Sequence, residues 1–200
     1  MKAWHFVGDK LRNGEPIPPD GEILRYNGPL EMCVSGLHAS ERIIDALKYA
    51  RGNTLCRVEC GGEIVKSIDK LVCRERAILW RVNGEKLLRE FARKQALSVM
   101  HLWEAPQIVR QYLETGDELI RDAAWWATVA GAGIGPGTDP GRRAAWWATV
   151  GDSFAASTAT SWAAASWAAA GILPLVRDMS AANTMLTDMA NSLFLRGEGD

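Results

Sequence analysis

Ala77-Ile-Leu-Trp-Arg-Val-Asn83-Gly84-Glu85-Lys-Leu-Leu-Arg-Glu-Phe91 contains the point at which the chain changes its periodicity. Before Asn83-Gly84 the run Ala77–Val82 is rich in aliphatic and aromatic residues and bounded by turn formers, which reads as a strand. After it, Leu88, Phe91, Gln95/Ala96, Val99 and Leu102/Trp103 recur every three or four residues, predicting a helix from Glu85 to Trp103 with one packing face. The chain therefore divides near residue 83.

Upstream, short extended segments alternate with turns. Lys2–Val7 is an aromatic and β-branched run, and Glu22–Arg25 and Glu31–Val34 are too short for helices. Asn13-Gly14, Pro18-Pro19-Asp20-Gly21 and Asn27-Gly28-Pro29 separate them, because Gly and Asn tolerate positive φ and Pro fixes φ. Ser40 reads as the N-cap of a helix over Glu41–Arg51, closed by Gly52-Asn53. A strand Thr54–Cys60 then meets a Gly61-Gly62 turn and an extended stretch from Ile64 to Val72. Residues 1–83 are expected to form a small mixed β-sheet domain with one helix.

Downstream, helices are expected over Gln107–Glu114, over Glu118–Ala130 capped by Asp117, from Arg142 toward Ala170, and over Arg177–Arg196, with a loop at Gly131–Gly141. Ala123-Ala-Trp-Trp-Ala-Thr-Val129 recurs as Ala144-Ala-Trp-Trp-Ala-Thr-Val150, and Trp162 and Trp167 carry a weaker echo. Residues 121–200 hold 20 alanines against 8 in the first 120. Small alanines let helices approach closely while indoles fill volume, so residues 84–200 read as a helical bundle or solenoid-like domain. The whole is α+β. Neighbouring residues on a helix point about 100° apart, so paired tryptophans cannot share one core. Trp125, Trp126, Trp146, Trp147, Trp162 and Trp167 are accordingly expected at an interface, most simply that of a homodimer.

The 23 Lys+Arg and 24 Asp+Glu of the 200 residues nearly cancel, with 18 and 17 in residues 1–120. Such balance gives no reason to expect a nucleic-acid partner. The run Arg74, Arg76, Arg81, Lys86, Arg89, Arg93, Lys94, interleaved with Glu75, Glu85 and Glu90, reads as a salt-bridged surface. Gly8, Asp9 and Lys10 interrupt the opening apolar residues before they reach signal-peptide length. Trp162–Val176 is short of the roughly 20 residues that span a bilayer. A cytoplasmic protein without membrane contact is expected. Cys33, Cys56, Cys60 and Cys73 lack the Cys-x2-4-Cys spacing of zinc knuckles and read as buried thiols, with no metal.

The segment most suggestive of function is Cys33-Val-Ser-Gly-Leu-His-Ala-Ser40. A histidine at a strand–helix junction, beside a helix start able to hold an anion, makes His38, Ser40 and Tyr49 candidate ligand contacts; the alternative is that His38 only stacks in the turn and Ser40 only caps. No Ser/His/Asp or Cys/His set is complete, and no catalytic residue is assigned.

Across residues 1–120 the chain resembles an uncharacterised domain family of phage and prophage proteins. The matching features are the opening strand Lys2–Val7, the Cys-x-Ser-Gly-Leu-His-Ala-Ser segment, Asp45-Ala46-Leu47-x-Tyr49, Arg57-Val-Glu-Cys-Gly-Gly-Glu-Ile64, and Leu97–Pro106 leading to Tyr112-Leu-Glu-Thr-Gly116. That resemblance implies an accessory role of the anti-defence kind, directed at the host. Gly36-Leu-His-Ala-Ser40, Ala46, Tyr49-Ala50 and Leu55–Gly61 also resemble the middle motif of ADP-ribosyltransferases. This second resemblance implies NAD as cofactor, His5 on the nicotinamide ribose and Glu75 as catalytic acid.

The expectation is a non-enzymatic phage accessory protein without a cofactor. It would bind a host protein or sequester a nucleotide-like ligand, and would act as a homo-oligomer. An NAD-using transferase and a structural virion component are the alternatives.

Overall fold

The computed structural model describes residues 1–130, 139–150 and 179–196. The chain divides into two compact units, Met1–Gly84 together with the last helix from Leu186 onward, and Glu85–Met185.

The first unit is built on five strands, β1 Lys2–Val7, β2 Ile23–Arg25, β3 Leu37–Ala39, β4 Thr54–Lys66 and β5 Leu71–Asn83, with helix α1 over Ile43–Lys48. Its centre is the β4–β5 hairpin, two strands of 13 residues each. β1 adds to the free edge of β4, pairing Lys2 with Glu59 through Val7 with Thr54. The other edge of β5 takes β2 opposite Ala77–Glu75 and β3 opposite Cys73–Leu71. Every pairing is antiparallel, so the expected mixed sheet is corrected: its strands return through hairpins and loops, and the one helix is not a crossover between parallel neighbours.

Three further expectations are corrected. Gly61-Gly62 does not end a strand. β4 runs through it on an irregular register between Gly61 and Ile64, which Gly62 permits at φ +68 with the Arg74 Cβ only 3.0 Å from where its own would stand. Ser40 does not cap a helix. Its N–H donates to the Trp4 carbonyl (2.9 Å) and its carbonyl accepts from the Trp4 N–H (2.7 Å), which holds the backbone extended, so α1 begins three residues later without a side-chain cap. Glu31–Val34 is no strand; Ser35 folds back on Glu31 in a tight turn and leaves Val34 exposed.

Alternation along β4 sends Cys56, Val58 and Cys60 to one side, where they join Ala3, Val7, Leu71, Cys73 and Ile78 in a core. On other positions Trp4 meets Trp80 edge-on at 5.7 Å, Phe194 stacks on Trp80 at 4.7 Å, and the Arg57 guanidinium lies over Trp4.

The second unit contains α2 Glu85–Ser98, α3 Gln107–Thr115, α4 Arg121–Val129 and α5 Pro140–Val150; the last helix, α6, covers Ser180–Arg196. The expected stripe on α2 is buried at Leu88, Phe91, Gln95 and Ala96, but the α-helix stops at Ser98 and a 3-10 turn over Met100–Leu102 follows. Gly116 closes α3 in the left-handed conformation at φ +68. Asp117 turns the chain by accepting the Leu119 N–H, and α4 starts only at Arg121. Asp139 accepts the Arg142 N–H at 2.7 Å ahead of Pro140, so Asp-Pro opens α5 at positions expected to be loop.

The repeated heptapeptide falls on α4 and α5, and in both copies the threonine hydroxyl donates to the first tryptophan's carbonyl, Thr128 to Trp125 and Thr149 to Trp146. The expected loop over 131–138, the helix beyond Val150, and Trp162 and Trp167 lie outside the described residues.

Candidate functional site

A cleft of about 920 Å³ opens in the sheet unit between β1, the loop after it, the Cys33–Ser40 segment and α1. Its lining contains six cations, Lys10, Arg12, Lys48, Arg51, Lys70 and Arg76, and no Asp or Glu. His5, His38, Ser40 and Tyr49 also line it, so the residues expected to touch a ligand do converge, along with one histidine of the transferase set.

Arg76 explains most of the electrostatics. It faces inward on β5 beside the Cys60 position of β4 and is only 6% exposed. Its Nη1 donates to the His38 carbonyl, its Nε–H has no partner, and it forms no ion pair among the described residues. Burial lowers its pKa against a partial counter-effect from the nearby Cys60, Cys73 and Cys56 thiols. A buried guanidinium with no carboxylate beside it is a costly arrangement unless some anion completes it. This residue, read from sequence as part of a salt-bridged surface, is corrected: Arg74 pairs with Glu63, Arg89 with Glu85 and Lys94 with Glu90, whereas Arg76 does not pair.

His38 is held by its own loop. Its Nε2 accepts the Cys33 N–H at 2.9 Å and its Nδ1–H donates to the Gly36 carbonyl at 3.2 Å. The imidazole is therefore neutral, and its pKa is lowered by burial and by Arg12, Arg76 and Lys70, with the Gly36 bond opposing. The turn it closes needs Gly36 at φ +98 and places Cys33 at φ +69. The His5 ring, in contrast, makes no hydrogen bond to a described residue; burial first, then Arg76 and His38, hold it well below the usual histidine range.

Ser40 is buried and committed through its backbone to Trp4. Tyr49 sits at the rim, its hydroxyl donating to Asp69 Oδ2 (2.6 Å) and accepting from Lys70 Nζ (3.2 Å), with that ammonium also 4.3 Å from the ring centre. Glu75 does not join the cleft. Alternation on β5 turns it away from Arg76, and Oε1 accepts from Arg25 Nε at 3.2 Å.

The thiols divide. Cys56, Cys60 and Cys73 are buried, but Cys33 is exposed on the cleft wall, which corrects the expectation for that residue. Burial raises Cys56 to about 12. Their mutual interaction raises the Cys60 thiol and lowers that of Cys73, whose Sγ donates to the Leu37 and Glu75 carbonyls. Among the described residues no group of three or more His, Cys, Asp or Glu could hold a metal ion, and no helix is long and apolar enough to cross a membrane.

Of the interface residues, Trp126 is 65% exposed, whereas Trp125, Trp146 and Trp147 are partly buried. Within each pair the rings meet edge to face, at 4.6 Å for Trp125–Trp126 and 4.4 Å for Trp146–Trp147.

Residues 1–90 match a domain of unknown function, DUF7666, which covers the sheet unit and the start of α2. Neither the curated proteins nor the solved structures contain a match.

Proposed function

We propose that the chain is a non-enzymatic binding protein that sequesters an anionic, nucleotide-like small molecule in the cleft of its sheet unit. The observation that carries this reading is the lining of six cations, of which Lys48 pairs with Asp45 and Asp69 while Arg76 is buried and unpaired among the described residues. Fixed positive groups in a concave site concentrate anions and strengthen each hydrogen bond made to them. The same lining gives little support to acid–base catalysis: no Asp or Glu is present, both nitrogens of His38 are occupied, and His5, the one imidazole left without a partner among the described residues, has no carboxylate to orient it. Glu75 bonded to Arg25 outside the lining weakens the transferase alternative.

In this reading the helical unit serves association. Exposed Trp126 supports a contact with a second copy or a host protein, and the phage accessory setting supplies a use for ligand capture.

The test is a thermal-shift series with adenosine, adenosine 5′-monophosphate and adenosine 5′-triphosphate at low salt. Ligands that bind only the folded state raise the melting temperature. Phosphorylated compounds are expected to raise it and adenosine is not. An equal response to all three, or a response that survives high salt undiminished, overturns the reading.

A further inference from the structure

Arg76 and His5 are the two side chains near one another in the cleft whose hydrogen-bonding capacity the protein leaves unused. Arg76 spends one Nη1–H on the His38 carbonyl and keeps Nε–H unpartnered, while the His5 ring bonds to no described residue. They reach the same place from different strands. Backbone pairing sets His5 on β1 opposite Cys56 and Arg76 on β5 opposite Cys60, and alternation along β4 puts both positions on one face of the sheet.

His38 makes the arrangement rigid. Its ring fixes the Cys33–Gly36 turn and its carbonyl anchors the guanidinium, so Arg76 is held in place before any ligand enters. Such preorganisation lowers the ordering cost of binding. A planar guanidinium presents paired N–H groups matched to the oxygens of a tetrahedral oxyanion. Its 6% exposure leaves one direction of approach. An anion carrying substituents on two sides would need two exits from that position, whereas a terminal group needs one.

Resting on the anion-binding reading above, the geometry points to a seat for the terminal phosphate of a phosphate monoester at Arg76 and His5, with His38 as a positioning residue. A monoester at neutral pH brings close to two negative charges and three unsubstituted oxygens, compared with one charge and two oxygens for a diester. Arg76 donates to the oxygens that reach its guanidinium. His5, neutral in the empty site, donates one N–H to another, and Arg12, which also lines the cleft, adds positive charge toward the rim.

Calorimetric titration of the full chain at low salt, with adenosine 5′-monophosphate, its 5′-methyl ester and inorganic phosphate, tests the seat. The monophosphate is expected to bind at least about tenfold more tightly than the methyl ester, since one charge-assisted hydrogen bond is removed. Inorganic phosphate should compete with it. His5→Asn should weaken the monophosphate by about tenfold while leaving the methyl ester within a factor of about two. Arg76→Lys should weaken both, and unchanged circular dichroism in each variant excludes unfolding as the cause; if Arg76→Lys fails to fold, His5→Asn alone decides. Equal affinity for monoester and methyl ester, or an unaltered monoester affinity in His5→Asn, overturns the seat but leaves the anion-binding reading standing. If no phosphate compound binds, both fall.

Discussion

The Cys33 N–H donates to Nε2 of His38 across 2.9 Å, so this imidazole is spent on its own turn before any ligand arrives. The residue that looked most like a ligand contact instead holds the wall of the cleft and, through its carbonyl, the charge at its floor.

His38→Ala should therefore act first on stability. Two exposed or part-buried hydrogen bonds are lost at roughly 0.5–1.5 kcal/mol each, giving a destabilisation of about 1–3 kcal/mol in urea denaturation. A variant as stable as the parent would show that the ring does not support the turn.

Gly36→Ala should cost about 2 kcal/mol or more. The residue stands at φ +98, and an added Cβ would lie 2.4 Å from the Val72 Cγ2 and 2.9 Å from the Leu30 Cδ2. Thermal unfolding measures this directly, and a neutral effect would mean that the turn relaxes freely.

Acid should destabilise the ligand-free protein through His5. Unfolded, the ring takes up a proton near pH 6.5; folded, it resists to lower pH because of burial, Arg76 and His38. Between those two values the unfolded chain binds more protons, so stability falls as pH drops below about 6.5 and is level with respect to this group above it. Denaturation midpoints from pH 7.5 downward should fall less steeply in His5→Asn than in the parent, and equal slopes would exclude a contribution from His5.

Thiol labelling should separate the four cysteines. Cys33 is exposed and is expected to react with iodoacetamide under native conditions, whereas Cys56, Cys60 and Cys73 should react only on unfolding. Peptide mass mapping reads the order, and native labelling of Cys60 or Cys73 would contradict their burial.

Trp126 should report the association surface. It is 65% exposed at the end of a pair whose other ring is partly covered. Trp126→Ala should shift sedimentation velocity toward the monomer at concentrations where the parent associates, as truncation of a central aromatic anchor typically costs about 2 kcal/mol or more. A parent that is monomeric throughout would remove self-association from the proposal.

The sequence pattern revealed the strand Lys2–Val7, the extended runs Thr54–Cys60 and Ala77–Val82 and the helical stripe after Asn83, because each has a periodicity that burial enforces. Local turn chemistry misled at Gly61-Gly62 and at Ser40: long-range pairing with β5 and with Trp4 outweighed it, and such pairing leaves no local signature. The cleft was harder to see. Lys10, Arg12, Lys48, Arg51, Lys70 and Arg76 come from five separate segments with no common spacing, and their charge vanishes in an overall count that balances. One signal was available. Arg76 sits two residues from Ile78, on the side of the strand that faces the core, where an arginine is out of place.

The strand order also governs how the newborn chain fares. β1 is made well before β4, the strand it pairs with along its length, and Lys2 waits for Glu59. At synthesis rates of about 5–20 residues per second that delay lasts roughly 3–11 seconds. Throughout it Ala3, Trp4, Phe6 and Val7, all later enclosed, lack the β4 strand that covers them, with Ser40 alone on hand to pair with Trp4. Chaperone dependence during translation, and inclusion-body formation when expression outpaces it, are the natural consequence of placing the first strand so far ahead of its partner.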